Sequence, residues 1–134
     1  MKFLDRLQPF ALLALRVVLG VILVAHGYSK VFGGFSKHAQ TVSGLGFPHW
    51  LAYFSTATEF VGGILLIAGL LTRFVSIAVV IEMLVAIFKV HLKNGLIGQN
   101  RSGYEFPLCL AVMAFSLIIF GGGPFGLDWL IRRR

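Results

Sequence analysis

Residues 10–25 read FALLALRVVLGVILVA, an apolar run that a single charged residue, Arg16, interrupts. Three similar runs follow, and the expected membrane spans are residues 10–27, 50–71, 74–91 and 105–121. A helix needs about 20 predominantly apolar residues to cross the hydrocarbon core of a bilayer. The runs lack the strict alternation that is typical of a transmembrane β-barrel. The sequence therefore predicts an all-α fold, an integral membrane four-helix bundle.

The composition agrees with this fold class and excludes several others. Of 134 residues, 57% are hydrophobic and only 13% are charged, whereas a soluble domain has about 25% charged residues. This excludes a soluble enzyme, a disordered linker and a disulfide-stapled secreted module. The single cysteine, Cys109, can form no internal disulfide. The net charge of +7 is scattered between apolar runs, which is typical of membrane orientation signals and not of nucleic-acid binding.

The connections between the spans predict three smaller features. Turn residues bracket residues 35–43 in the first loop, which indicates a short interfacial helix. Residues 72–73 alone separate spans two and three, so these spans should form a tight hairpin. A Gly/Pro break at 121–124 ends span four, and residues 127–134 form a short basic amphipathic tail. We expect this tail to anchor on anionic lipid.

Four spans place both chain termini on the same side of the membrane. The positive residues expected on that side are Lys2, Arg6, Arg73, Arg132, Arg133 and Arg134, whereas the opposite side carries Lys30, Lys37, Lys93 and Arg101. Because positive residues accumulate on the cytoplasmic side, this bias favours cytoplasmic termini. The sequence thus predicts one domain, residues 1–134, in the cytoplasmic membrane.

Arg16, Glu59, Glu82 and Lys89 fall inside the predicted spans, and the first three are expected to form one network. A charge at the bilayer centre costs at least ~2.5–3.5 kcal/mol, so each should face the bundle interior and find a partner. Their depths allow the Arg16 guanidinium to reach either carboxylate. Gly62 and Gly63, one turn after Glu59, would let a neighbouring helix approach closely. The expected buried ion network serves either helix packing or function.

A second polar layer is expected nearer the opposite face. Its members are His26, Lys30, His91, Tyr104 and Glu105. Together they could form a ligand-binding pocket for a polar headgroup, although interfacial exposure alone would also explain the two histidines. A haem held by both histidines is disfavoured, because His91 points about half a turn away from the polar stripe of its helix. No metal site is expected, since the sequence contains no metal-binding motif.

Several short motifs give the chain a resemblance to a known family. These are LRVVLG at 15–20, HGYSKVFG at 26–33, EFVGG at 59–63, GLLTR at 69–73, VHLKNG at 90–95 and GYE at 103–105, followed by the Gly/Pro break and Leu-Asp of the tail. The combination resembles the DoxX family of small four-helix membrane proteins. The match covers nearly the whole chain.

The DoxX resemblance has implications for function. The family takes its name from a membrane subunit linked to a quinone-coupled oxidoreductase. The resemblance implies an accessory subunit of a redox membrane assembly, with quinone as the expected ligand or cofactor class and a lipid-like molecule as the alternative. The recurrent family positions correspond to Arg16, His26, Lys30, Glu59 and Glu105. A non-catalytic subunit is favoured over a self-sufficient enzyme, because the chain carries no recognisable redox-cofactor motif.

Two other functions remain open at this point. One is a structural or chaperone-like membrane scaffold, in which the ion network serves packing only. The other is a small transporter or proton pathway, in which the same residues form a relay. The expected partners are the lipid bilayer and either other protein subunits or further copies of the chain, and not nucleic acid.

Overall fold

The computed structural model describes residues 1–133 and confirms an all-helical membrane bundle. The helices are α1 (Lys2–Asp5), α2 (Gln8–Ser29), α3 (Phe35–Gly44), α4 (Trp50–Ala68), α5 (Thr72–Ala86), α6 (Glu105–Phe120) and α7 (Leu127–Arg132). The described residues contain no strand. Arg134, the last residue of the expected basic tail, lies outside the described residues.

The four longest apolar helices correspond to the four predicted spans. Helices α2, α4 and α5 are long and apolar enough to cross a membrane, α5 with its π-helical continuation Ile87–His91 and the following turn. Helix α6 is apolar but has only 16 residues. Large apolar side chains such as Phe74 and Phe115 are exposed on the outer surface, as a lipid-facing surface requires.

Helix pairs α2–α4 and α5–α6 make the main contacts of the bundle. Glycines permit the first pair to approach closely, since a Cβ atom at Gly20 would lie only 2.7 Å from the Gly63 carbonyl oxygen. This confirms the close helix approach predicted beside Glu59. The buried core is apolar and consists mainly of Leu19, Leu23, Leu66, Val79, Met83, Leu110, Ala114 and Leu117.

A kink separates α2 from the predicted interfacial helix. Gly33 has a φ of +142°, which glycine adopts at little cost. The chain then forms α3, which packs on α4. This confirms the short helix predicted at residues 35–43.

The turn between α4 and α5 lies three residues earlier than predicted. Helix α4 ends at Ala68, Gly69 and Leu71 adopt left-handed conformations (φ +76° and +54°), and α5 already begins at Thr72. Gly69 provides a left-handed helix terminus. Asp128 accepts hydrogen bonds from the first amides of the next helix. The turn therefore lies at residues 69–71 and not at the predicted 72–73, and hydrophobic periodicity gives no sign of the contact with Asp128 that stabilises it.

The bundle has two ends, to which we give fixed names. The terminal face contains the start of α2, the turn at 69–71 and the segment 121–133; the rings of Phe10 and Phe125 lie 5.2 Å apart there. The loop face contains α3 and the connection 92–104. Both ends of the chain therefore lie at the same face.

Candidate functional site

Arg16 binds backbone carbonyl groups and not the expected carboxylates. The side chain is buried, with 1% of its surface exposed. Nη1 donates to the Gly122 carbonyl at 2.8 Å, and Nη2 lies 3.5 Å from the carbonyl oxygens of Ile67 and Phe125. The expected pairing of Arg16 with Glu59 or Glu82 is therefore wrong. The physical reason is that the Gly/Pro segment after α6 folds back and offers closer acceptors.

Small residues create the space that the Arg16 guanidinium occupies. A Cβ atom added to either Gly69 or Gly126 would lie 2.8 Å from Nη1. The Asp128 amide also donates to the Gly69 carbonyl at 2.9 Å, which closes the segment over the turn. We call Arg16, Gly69, Gly122, Gly126 and Asp128 the terminal cluster. It joins span one, the α4–α5 turn and the C-terminal segment.

Asp128 caps the third membrane span. Its Oδ1 accepts from the Leu71 amide at 2.8 Å, and its Oδ2 accepts from the Thr72 amide at 3.0 Å. A carboxylate at a helix N-terminus satisfies amides that lack an intrahelical partner. The sequence analysis did not assign this role to Asp128. The available signal was the Leu-Asp pair after the Gly/Pro break, which the resemblance included.

The carboxylate of Glu59 pairs with Lys30, which the sequence analysis placed in a different layer. The Lys30 Nζ atom lies 2.7 Å from both carboxylate oxygens of Glu59. The pair links Lys30, the residue directly after α2, to α4, where Glu59 is buried. The expected separation into an inner network and an outer pocket does not hold for these two residues.

A cavity of about 290 Å³ lies between α3, α4 and α5 beside this pair. Its polar lining comprises Lys30, His38, Thr41, Ser55, Glu59 and Glu82. Ser55 Oγ donates to Glu82 Oε1. Within the described residues, Glu82 Oε2 and His38 Nε2 are buried and have no hydrogen-bond partner. We call this space the α3–α5 cavity.

The rest of the cavity wall is apolar and continuous with the outer surface. Phe54 and Ile81 line it and each exposes more than half of its surface, 56% and 57% respectively. A lipophilic molecule could therefore enter from the hydrocarbon region. Pockets that combine an apolar wall with a few converging polar groups are typical small-molecule sites, and this volume is close to the lower end of their range.

His38 brings a titratable group to this cavity from α3, outside the membrane spans. Burial lowers the pKa of His38, and the positive charge of Lys30 lowers it further, while Glu59 acts in the opposite direction. The neutral ring is therefore favoured near neutral pH. A neutral imidazole has one donor and one acceptor nitrogen, so it can exchange hydrogen bonds with a ligand.

The structure does not assemble the other predicted pocket residues around Lys30. The His26 ring stacks on Phe106 at 5.7 Å, beside Glu105 at the start of α6, and its Nδ1 donates to the Ile22 carbonyl of its own helix. His91 Nδ1 donates to the Ser102 carbonyl at 3.0 Å. The residues that do not line the α3–α5 cavity are His26, His91, Tyr104 and Glu105. Kinking after α2 turns Lys30 towards α4, which corrects the predicted grouping.

Ser55 and His38 are the cavity residues that sequence reasoning missed. Ser55 precedes Glu59 by four residues, so both lie on the same face of α4. That spacing was a usable signal. No comparable signal existed for His38, because its position depends on how α3 folds back at the Gly33 kink.

The α3–α5 cavity offers hydrogen bonding, fixed charge and proton exchange to a lipophilic ligand. Glu82 and His38 can exchange protons, and the Lys30–Glu59 pair provides fixed charge. Among residues 1–133, no group of three or more His, Cys, Asp or Glu side chains is arranged to hold a metal ion.

Comparison with known proteins assigns the chain to a family. The DoxX family model matches residues 11–92. "Putative oxidoreductase CatD" of Bacillus subtilis is 34% identical over 116 residues, which cover 87% of this chain and 83% of the relative. "Inner membrane protein YqjF" of Escherichia coli is 23% identical and covers 98% of this chain and 99% of its own length. No solved structure matches. The chain belongs to the DoxX family of membrane proteins.

Proposed function

We propose that the chain is an accessory subunit of a redox membrane assembly and binds a quinone-like molecule in the α3–α5 cavity. One observation carries the proposal. The buried Glu82 Oε2 atom receives no hydrogen bond from a donor group within residues 1–133 and borders an apolar cavity that reaches the lipid-facing surface. A buried polar atom without a partner costs about 1–3 kcal/mol, which a ligand that supplies a hydrogen bond would recover.

The residues fit the two chemical parts of a quinone. Its ring carbonyl groups accept hydrogen bonds, for which His38 Nε2, unpartnered within residues 1–133, is a candidate donor, and the hydroxyl groups of the reduced quinol donate, for which Glu82 Oε2 is the acceptor. Its isoprenoid tail is apolar and matches the wall that contains Phe54 and Ile81. The fit rests on donor chemistry and on an unpartnered buried atom, independently of the family.

Each polar residue has a separate role in this proposal. A bound quinone would supply the redox chemistry, since its reduction consumes two electrons and two protons. Glu82 and His38 would hold and transfer protons at the cavity wall. Lys30 and Glu59 neutralise each other across two contacts of 2.7 Å, and the pair would position the wall without exchanging protons itself. Electrons would come from a partner protein, in agreement with an accessory role.

The B. subtilis relative carries the name "Putative oxidoreductase CatD", which supports the redox part of the proposal. The name of the E. coli relative supports placement in the inner membrane. We further propose that both termini face the cytoplasm, on the basis of the excess of Lys and Arg at the terminal face. A cysteine introduced by Lys2→Cys in a Cys109→Ala background tests this. In intact cells, a membrane-impermeant maleimide should not label it, and labelling would contradict the orientation.

A membrane scaffold is the second candidate function. The terminal cluster favours it, because its hydrogen bonds join three separate segments of the bundle through backbone groups. Under this alternative no ligand occupies the α3–α5 cavity, so substitutions of the cavity residues would change only the stability of the protein.

The two functions are separated by analysis of co-purifying molecules. The protein is extracted from membranes in mild detergent, and bound small molecules are identified by mass spectrometry. We expect a quinone in the wild type, a loss of most of it in the Ser55→Ala/Glu82→Gln variant, and full retention in Glu105→Gln, a matched control outside the cavity. Absence of quinone from the folded wild type, or equal loss in the control, would contradict the proposal.

A further inference from the structure

A second cavity, of about 410 Å³, lies at the terminal face between the start of α5, the end of α6 and α7. Its wall combines two arginines, a threonine and aromatic rings: Thr72, Arg73, Phe74, Phe120, Trp129 and Arg132. We call this space the terminal cavity. It is separate from the α3–α5 cavity, and the proposed function does not use it.

The charges of the terminal cavity are not balanced. No carboxylate within residues 1–133 forms a salt bridge with Arg73 or Arg132. Within the same residues, the Arg73 side chain forms a single hydrogen bond, a long one of 3.5 Å from Nη2 to the Ile119 carbonyl oxygen. Asp128 also lines the cavity and offsets one of the two positive charges, while its oxygens accept hydrogen bonds from the amides of Leu71 and Thr72. The cavity therefore has an excess of positive charge.

Thr72 provides an independent indication of a ligand. The residue is buried, with 1% of its surface exposed, yet its Oγ1 atom has no hydrogen-bond partner within the described residues. It lines the same cavity as the two arginines. A hydroxyl group beside two guanidinium groups is a typical donor set for phosphate oxygens, which guanidinium binds in bidentate fashion.

The apolar part of the wall defines which kind of phosphate fits. Phe74 and Phe120 expose 74% and 65% of their surfaces at the ends of membrane helices, where acyl chains would lie. Trp129 lines the cavity from α7, and Arg133 lies 6.0 Å from its ring. Amphipathic rings with adjacent basic residues are typical of the headgroup level of a membrane.

We propose that the terminal cavity binds the phosphate headgroup of one anionic phospholipid, with its acyl chains along Phe74 and Phe120. Arg73, Arg132 and Thr72 hold the phosphate group, and Trp129 packs beside it. The lipid thereby joins α7 to the membrane ends of α5 and α6. This assigns a specific bound lipid to a region for which the sequence predicted only a general basic anchor.

Native mass spectrometry of the full chain in a neutral detergent tests the proposal. The probes are phosphatidylglycerol and phosphatidylcholine with identical acyl chains. We expect phosphatidylglycerol to bind with a stoichiometry of one and to bind more tightly than phosphatidylcholine. The Arg73→Gln/Arg132→Gln variant should lose about 30-fold in affinity for phosphatidylglycerol. Thr72→Val, which leaves the charge unchanged, should lose about fivefold through one hydrogen bond.

The matched control removes two positive charges that lie elsewhere on the terminal face. Lys2 and Arg6 are exposed and do not line the cavity, so Lys2→Gln/Arg6→Gln should change the affinity by less than about twofold. Equal losses in both double variants would show diffuse charge attraction and overturn the proposal. It would also be overturned by equal binding of the two lipids, or by displacement of the lipid by an equal concentration of inorganic phosphate, which would indicate a site for a free anion.

Discussion

The terminal cluster and the α3–α5 cavity both contain buried charged groups, but they use them differently. In the terminal cluster, Arg16 and Asp128 bind backbone groups of other segments. In the cavity, Lys30, Ser55 and the two glutamates bind one another's side chains around an open space. Charges that bind backbone connect segments and stabilise the fold. Arg16 Nε also lacks a hydrogen-bond partner within residues 1–133, but glycine backbone packs against its guanidinium group. Glu82 Oε2 and His38 Nε2 belong to residues that line a cavity, where they are available to a ligand.

The largest loss of stability is expected from removal of the Arg16 guanidinium. Arg16→Met should lower the free energy of unfolding by about 2–3 kcal/mol, because buried acceptors lose a charged donor. The measurement is an unfolding titration with SDS in mixed micelles. Arg6→Met, at an exposed position near the same end of α2, should change it by less than about 0.5 kcal/mol. Equal effects would show that Arg16 is not a packing residue.

A smaller loss is expected from closing the space around Arg16. Gly69→Ala should cost about 2 kcal/mol, because alanine resists a positive φ and its Cβ atom would meet Gly126 at 2.5 Å. Gly44→Ala is the control, since a Cβ atom there would have no neighbour within 4 Å. The same SDS titration applies. A stable Gly69→Ala variant would contradict the tight packing of the cluster.

Removal of the capping charge should have an effect of about 1 kcal/mol. Asp128→Asn weakens the acceptors for the Leu71 and Thr72 amides but keeps the size of the side chain. The expected result is faster hydrogen exchange of the first amides of α5, measured by mass spectrometry, together with the small loss of stability. Asp5→Asn, at an exposed position, should alter neither quantity. Unchanged hydrogen exchange in Asp128→Asn would show that the Asp128 carboxylate does not stabilise the turn at 69–71.

On the cavity side, the same kind of substitution should barely change stability. Glu82→Gln keeps the shape of the side chain, and the amide oxygen can still accept the hydrogen bond from the Ser55 hydroxyl. We therefore expect the free energy of unfolding to change by less than about 0.5 kcal/mol. Affinity for a short-tailed benzoquinol, whose hydroxyl group donates to the Glu82 carboxylate, should fall about tenfold through loss of one charged hydrogen bond, as measured by anaerobic equilibrium dialysis. A large loss of stability with unchanged binding would assign Glu82 to packing and favour the scaffold.

The smallest expected effect is a pH dependence at His38. Because its pKa in the folded protein lies below the ordinary value of 6.5, the unfolded chain binds the proton first as the pH falls. The contribution of His38 to stability is therefore complete above about pH 6.5 and is lost as the pH falls through the folded pKa. Thermal midpoints of wild type and His38→Gln should converge on acidification. His49→Gln, at an exposed position, should leave the pH profile unchanged.

The four helices could be predicted from the sequence because hydropathy alone determines them. The first span needed only its apolar run, and α3 needed only the turn residues around it. The partners of the charged residues could not be predicted, because they include backbone groups of segments that are distant in sequence and fold back in the bundle. Arg16 donates to the Gly122 carbonyl because the segment after α6 folds back against the turn at 69–71. The periodicity of a single helix does not predict this contact between segments.

The predicted pocket residues were separated for a similar reason. Depth along a helix placed Lys30 and Glu105 at the same level, but depth does not fix which neighbouring helix each one faces. The kink at Gly33 turns the chain back over α4 and leaves Lys30 with Glu59. Residue type and depth were thus sufficient to select Lys30, Glu59 and Glu82 for testing, but not to group them or to find His38.

Photolabelling shows whether the α3–α5 cavity is the quinone site. A photoreactive azido-benzoquinone, kept in its reduced quinol form, is irradiated with the full chain in lipid nanodiscs, and the labelled residues are mapped by peptide mass spectrometry. We predict labels on the cavity wall, at residues such as Phe54 and Ile81, and their loss in Glu82→Gln but not in Glu105→Gln. Labels concentrated instead beside His26 and Phe106, unchanged by Glu82→Gln, would contradict the account.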